Sequence, residues 1–117
     1  MRLNEVVYSG AVPVEGYGPG FFRLGGKVFE GPILVMPGGI SGWGGIGDAE
    51  AILAAADQID VLFVGMGAEI APLEAGFRAV LEEAGIGVEI MASPPACRTY
   101  NVLLSEGRRV GLALLPV

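Results

Sequence analysis

The sequence predicts an α/β fold of three layers, built around a central mixed, mostly parallel sheet and opened by an antiparallel hairpin. Three observations carry this. From residue 48 onward, apolar β-branched runs alternate with stripes of helical period, the pattern of parallel strands joined by helices. Gly25-Gly26 stands between two short strand-like runs, and the primed two-residue turns of hairpins need positive φ. Apolar residues make up 52% of 117 residues, enough to close one core and to fit one domain over 1–117.

The elements follow in order. Glu5 to Ala11 reads as a first strand, and Pro13 to Gly20, with two prolines and three glycines, reads as a loop. Phe21 to Leu24 and Lys27 to Glu30 are the arms of the hairpin. Pro32 to Met36 is a short apolar run expected as a buried strand. Pro37 to Gly47 is expected as a long glycine-rich loop carrying Ile40, Trp43 and Ile46. Asp48 is placed to cap a helix with Ala51, Ile52, Ala55 and Ala56 on one face. Val61 to Gly65 has the make-up of a central strand. Pro72 suits a first helical turn, with Leu73, Phe77, Val80 and Leu81 as its stripe and Gly85 as its terminator. Ile86 to Met91 is a further strand. Ser93-Pro94-Pro95 then suits a cap and first turn, with Ala96, Tyr100, Leu103 and Leu104 inward and Gly107 at the end. Arg109 to Val117 is apolar enough for an internal last strand.

Composition removes several function classes. The chain has 7 basic and 13 acidic residues, a net charge of −6, which disfavours nucleic acid and anionic membrane surfaces. It has no histidine, so Ser-His-Asp and Cys-His catalysis and His-based metal sites are excluded. No apolar run reaches the ~18–20 residues of a membrane span, so no direct membrane insertion is expected. The opening residues lack the h-region of a secretory signal, and the lone Cys97 suits a reducing compartment; a cytoplasmic location is the expectation. No catalytic residue, cofactor or metal is assigned.

The densest polar constellation is Ala96-Cys97-Arg98-Thr99-Tyr100-Asn101 at a helix start, where free N–H groups and the dipole favour anions. Beside Arg98, Cys97 reads either as an activated thiolate or as a small core residue. Arg98 can fork onto a carboxylate or phosphate, or pair with Glu74 or Glu89. Tyr100 and Asn101 read as a ring at the core edge and a hydrogen-bonded amide. Gly65-Met66-Gly67 starts a dinucleotide fingerprint, but Ile70 stands where the third glycine belongs; a tight turn is the plainer reading. Tyr17, Phe21, Arg23 and Trp43 form a candidate partner surface, with Trp43 alternatively pinning its loop.

Several of these runs together resemble a known family. They are Tyr17 to Leu24, Ile33 to Trp43, Gly65-Met66-Gly67 and Gly85 to Met91. The most specific is Ala96-Cys97-Arg98-Thr99-Tyr100-Asn101-Val102-Leu103-Leu104, followed by Glu106-Gly107-Arg108-Arg109-Val110. The chain resembles the NADH:ubiquinone oxidoreductase complex assembly factor 3 family, which includes small bacterial and archaeal domains. The resemblance implies a three-layer α/β fold, no established enzymatic activity, and partners among respiratory-complex or membrane-insertion proteins. Without a mitochondrial presequence the chain looks bacterial. Two other classes stay open beside this interaction role. One is an enzyme or sensor binding an anion at Cys97 and Arg98; the other is a structural module that forms a homodimer.

Overall fold

The computed structural model describes residues 5–7 and 12–117. In chain order the strands are β1 (Glu5–Val7), β2 (Val14–Gly18), β3 (Phe21–Leu24), β4 (Lys27–Glu30), β5 (Ile33–Met36) and β6 (Gly39–Gly42). Helix α1 (Glu50–Ala54) runs into a 3₁₀ turn (Ala56–Gln58). Then come β7 (Val61–Met66), α2 (Ala75–Glu83), β8 (Gly87–Met91), α3 (Ser93–Ser105) and β9 (Val110–Leu115). Of the expected first strand, residues 8–11 lie outside the described residues.

A six-stranded sheet has the order β1-β6-β5-β9-β7-β8, and β2-β3-β4 form a separate three-stranded sheet. The mixed α/β architecture is the expected one, but its parallel share is smaller. Among the described residues only β7–β8 and β7–β9 are parallel; β1–β6, β5–β6 and β5–β9 are antiparallel. The alternation of strand and helix begins only at residue 48, so it governs only the half of the sheet built after it.

The central strands are apolar on both faces because both faces are covered. In β5, Ile33 and Val35 join one core while Leu34 and Met36 join the other. In β9, Val110, Leu112 and Leu114 face one side and Ala113 the other. The first core is roofed by α3 (Ala96, Cys97, Tyr100) and by Phe22, Leu24 and Phe29 of the small sheet. The second is roofed by Ile52, Ile59, Phe77, Leu81 and Trp43. These are the three layers.

Gly25 and Gly26 have φ of 59° and 76°, and Leu24 pairs with Lys27 across them. Helices α2 and α3 end alike. After α2 the N–H groups of Gly85 and Ile86 donate to the carbonyls of Glu82 and Leu81; after α3 those of Gly107 and Arg108 donate to Leu104 and Leu103. Both are Schellman closures that need the glycine's positive φ.

Four expectations are corrected. Val14–Gly18 is a strand, not loop: it pairs with β3 through a bulge between Val14 and Gly16, and the Phe21 ring lies over Gly18 where a side chain would otherwise sit. Part of the expected Pro37 to Gly47 loop is β6, which pairs with both β5 and β1. Asp48 does not cap α1, whose cap residue is Ala49. Its carboxylate instead accepts from the Gly44 N–H at 2.9 Å, and its carbonyl accepts from the Trp43 indole N–H at 2.9 Å. Pro72 precedes the helix, which begins at Ala75 after Glu74.

Ser93 is the knot of the fold. It is 0% exposed and sits at the first position of α3, following the cap residue Ala92. Its hydroxyl donates to the Leu115 carbonyl at 2.6 Å and accepts from the Gly67 N–H at 2.9 Å; its own N–H donates to the Gly67 carbonyl at 2.7 Å. A β-carbon on Gly65 would lie 2.7 Å from Ser93 Oγ and 2.9 Å from Ser93 Cα. Ser93→Ala leaves a buried donor and acceptor unpaired, and is expected to cost about 2–4 kcal/mol in urea unfolding. Gly65→Ala is expected to cost about 1–3 kcal/mol by overpacking at the same point.

Candidate functional site

In open α/β sheets, ligands bind outside the carboxyl ends of the strands, where neighbouring strands send their helices to opposite faces. Here that place lies between β7 and β8. Helix α2 follows β7 onto the second core and α3 follows β8 onto the first. The crevice is closed. The loop after β7 and the start of α3 are joined by two hydrogen bonds between Gly67 and Ser93, and the end of β9 is tied in through Leu115. Gly67 holds φ at +95°, and a β-carbon there would sit 3.2 Å from the Pro116 carbonyl. Gly65 and Gly67 thus allow close backbone approach and frame no phosphate cradle.

The start of α3 does not offer the anion site expected of it. Pro94 and Pro95 carry no N–H, the Ser93 N–H is taken by Gly67, and the Ala96 N–H by the Ala92 carbonyl. No first-turn donor is left over. Cys97 is buried in the first core, and burial pushes its thiol up to about 12 despite the opposing pull of Arg98 and of a backbone hydrogen bond. It is a protonated core residue and not an activated thiolate.

Tyr100 and Asn101 are likewise occupied. Tyr100 is 0% exposed, donates its hydroxyl to the Val12 carbonyl at 3.0 Å, and is shifted upward by burial. Asn101 accepts from the Val14 N–H and donates to the Val14 carbonyl, both at 2.8 Å. The amide mimics a strand's hydrogen-bonding edge and clips β2 to α3. Thr99, just before them, is half-buried.

Arg98 differs. It is exposed, and among the described residues it makes no ion pair; neither Glu74 nor Glu89 engages it. One turn further on, Val102 is 55% exposed, so the outer face of α3 presents a cation beside an apolar side chain. Of the aromatic candidates, Tyr17 is exposed at the edge of the small sheet and Phe21 is half-buried over Gly18. Arg23 is exposed and stands opposite exposed Val28. Trp43 leaves the candidate surface and takes its other reading: it is 6% exposed, bonded to Asp48 and 6.3 Å from the Phe77 ring, so it anchors its loop. Arg98-Val102 and Arg23-Val28 share a pattern that sequence reading missed in part. The exposure of Val28 and Val102 becomes readable only once the inward faces of β4 and α3 are known.

Cys97 and Tyr100 both hold their protons more tightly folded than unfolded. The stability linked to them is fully present below about pH 9, the ordinary thiol value, and is lost as pH rises toward 12. Unfolding free energy is therefore expected to fall between pH 9 and 11. Cys97→Ala should make that slope shallower, and thiol labelling at pH 8 should proceed only at the rate of unfolding.

With the geometry in hand, kinship is readable. A protein of Rhodobacter capsulatus is 49% identical over 100% of this chain and 94% of its own length. The NADH dehydrogenase [ubiquinone] 1 alpha subcomplex assembly factor 3 of Danio rerio is 34% identical over 92% of this chain, which spans 66% of that relative's length. A crystal structure described as an outer membrane protein from Bartonella henselae superposes with a TM-score of 0.85 at 35% identity, covering 92% of this chain and 97% of that one. The family described as protein of unknown function (DUF498/DUF598) matches residues 14–115. The chain belongs to that family, and relatives of it bear the name of complex I assembly factor 3.

Proposed function

We propose that this protein is a non-enzymatic interaction factor that assists assembly of a respiratory membrane complex of the NADH dehydrogenase type. The observation that carries the reading is kinship along most of the chain with proteins named for that role. The geometry supports it from the other side. The place where this kind of sheet works on a ligand is closed by Ser93, and the polar residues of the 96–101 run, Arg98 and Thr99 excepted, make their hydrogen bonds within the fold. The exposed cation-apolar pairs Arg98-Val102 and Arg23-Val28 are the contact surface. Arg and apolar side chains together supply the fork and the desolvated contact that interfaces favour.

Among the described residues no helix is long and apolar enough to cross a membrane. The proposal places the protein in the cytoplasm, in contact with membrane partners rather than inserted. Fractionation of the host tests this. Recovery in the outer membrane, as the description of the Bartonella henselae relative would have it, would move the site of action.

The role is tested by pull-down of the tagged protein in mild detergent, beside Arg98→Ala and Val102→Asp versions, read by mass spectrometry. Respiratory-complex or membrane-insertion subunits are expected with the wild type and are expected to drop about tenfold with either variant. A wild-type pull-down with no such partner removes the assembly role. Equal recovery with both variants removes the α3 surface from it.

A further inference from the structure

On the second face of the sheet, α1 covers β5 and β6 incompletely. A cleft of about 240 Å³ opens between the β5–β6 turn and the helix. Its lining includes Leu34, Met36, Gly39, Ser41, Ala51 and Ala55, with no charged side chain. The turn at Pro37-Gly38 rims it, with Gly38 at a φ of 88°. The volume falls below the roughly 300–1,000 Å³ of sites that enclose a whole small molecule. It suits one large apolar side chain instead, the way a central anchor enters its pocket at an interface.

The surroundings say what would carry that side chain. No Lys or Arg occurs between Lys27 and Arg78, while α1 and its flanks hold Asp48, Glu50 and Asp57. Glu50 precedes the lining residue Ala51, and Asp57 follows Ala55 by two residues; both acids are exposed. By strand register the nearest described base is Arg109, two residues before Gly111, whose β-carbon position faces Met36. Its guanidinium is already paired with Asp60 at 3.1 Å. An apolar cleft whose rim, among the described residues, carries exposed acids and no unpaired base complements a cationic segment and repels an anionic one.

We propose that the cleft between the β5–β6 turn and α1 is an anchor pocket for a basic peptide segment of a partner protein, which inserts one bulky apolar side chain between Met36 and Ala51. That occupant rests on the assembly reading, which supplies a protein partner. The surface lies on the face of the sheet opposite α3, so it is separate from the Arg98-Val102 contact.

The probes are three synthetic peptides, Lys-Lys-Phe-Lys-Lys, Lys-Lys-Ala-Lys-Lys and Glu-Glu-Phe-Glu-Glu, titrated into ¹⁵N-labelled protein at low and high salt. The basic Phe peptide is expected to shift the amides of Gly38, Gly39, Ser41, Ala51 and Ala55. The other two should bind about tenfold more weakly or worse, and the advantage over the acidic peptide should shrink with salt. Ala51→Leu, at an exposed helix position, fills the cleft and should abolish the shifts. The surface pair Glu50→Lys with Asp57→Lys removes the rim without touching the core and should weaken the basic Phe peptide about tenfold. Equal binding of all three peptides, shifts confined to another face, or an unchanged titration in the Glu50/Asp57 variant would overturn the proposal. The two readings fail separately. Cleft shifts without respiratory partners in the pull-down remove the assembly role and leave the pocket; respiratory partners with a silent cleft remove the pocket.

Discussion

One buried hydroxyl holds together the ends of this fold. Ser93 lies where β7 ends, α3 begins and β9 ends, and its hydroxyl bonds to the first through the Gly67 N–H and to the last through the Leu115 carbonyl. The contact is possible only because Gly65 has no side chain, since a β-carbon there would overlap both Ser93 and Leu114. Once the three ends are joined, much else follows. Helix α3 must cross from β8 over β7 to deliver β9 between β7 and β5, and the crevice at the strand ends is filled with protein hydrogen bonds. A serine at that point satisfies both a donor and an acceptor, which an apolar residue of similar size could not do without leaving them bare.

The same economy of polar groups explains the small sheet. A three-stranded sheet with one buried face needs something to hold it against the body of the protein. Phe22, Leu24 and Phe29 supply the apolar contact. Orientation comes from α3, where Asn101 pairs with both backbone groups of Val14 and Tyr100 bonds to the Val12 carbonyl. At the opposite edge of the central sheet, Arg78 is held by Glu82 and donates to the Val88 carbonyl at 3.2 Å, covering part of the open edge of β8. In each case a long or forked polar side chain stands in for a missing strand.

What the sequence made legible was local. The runs behind β7, β8 and β9, the Gly25-Gly26 turn and the glycines ending α2 and α3 could be read because each depends on neighbours within a few residues. The strands that escaped reading are rich in glycine and take strand conformation only from the neighbours they pair with. Val14–Gly18 holds two glycines, Gly16 and Gly18, and looks like a turn until β3 lies beside it and Phe21 covers Gly18. Gly39–Gly42 is half glycine and becomes a strand because β5 and β1 flank it. Asp48 failed for a related reason. Its carboxylate was free to cap a helix or to close a loop, and the loop carrying Trp43 provided the nearer donor.

The candidate site teaches a sharper lesson about dense polar runs. Ala96 to Asn101 concentrates a thiol, a guanidinium, a phenol and an amide at a helix start, and that density suggested chemistry. The two prolines just before it already argued otherwise, since each removes a donor that an anion would need. Burial of Cys97 raises its thiol where a helix start alone would lower it, because desolvation outweighs the charge of Arg98. Periodicity separates the residues cleanly. Cys97, Tyr100 and, through its amide, Asn101 turn toward the core and β2, while Arg98 and Val102 turn away. A run can therefore be distinctive because several tertiary contacts meet in it, and the residue free to meet a partner is the one its neighbours leave facing solvent.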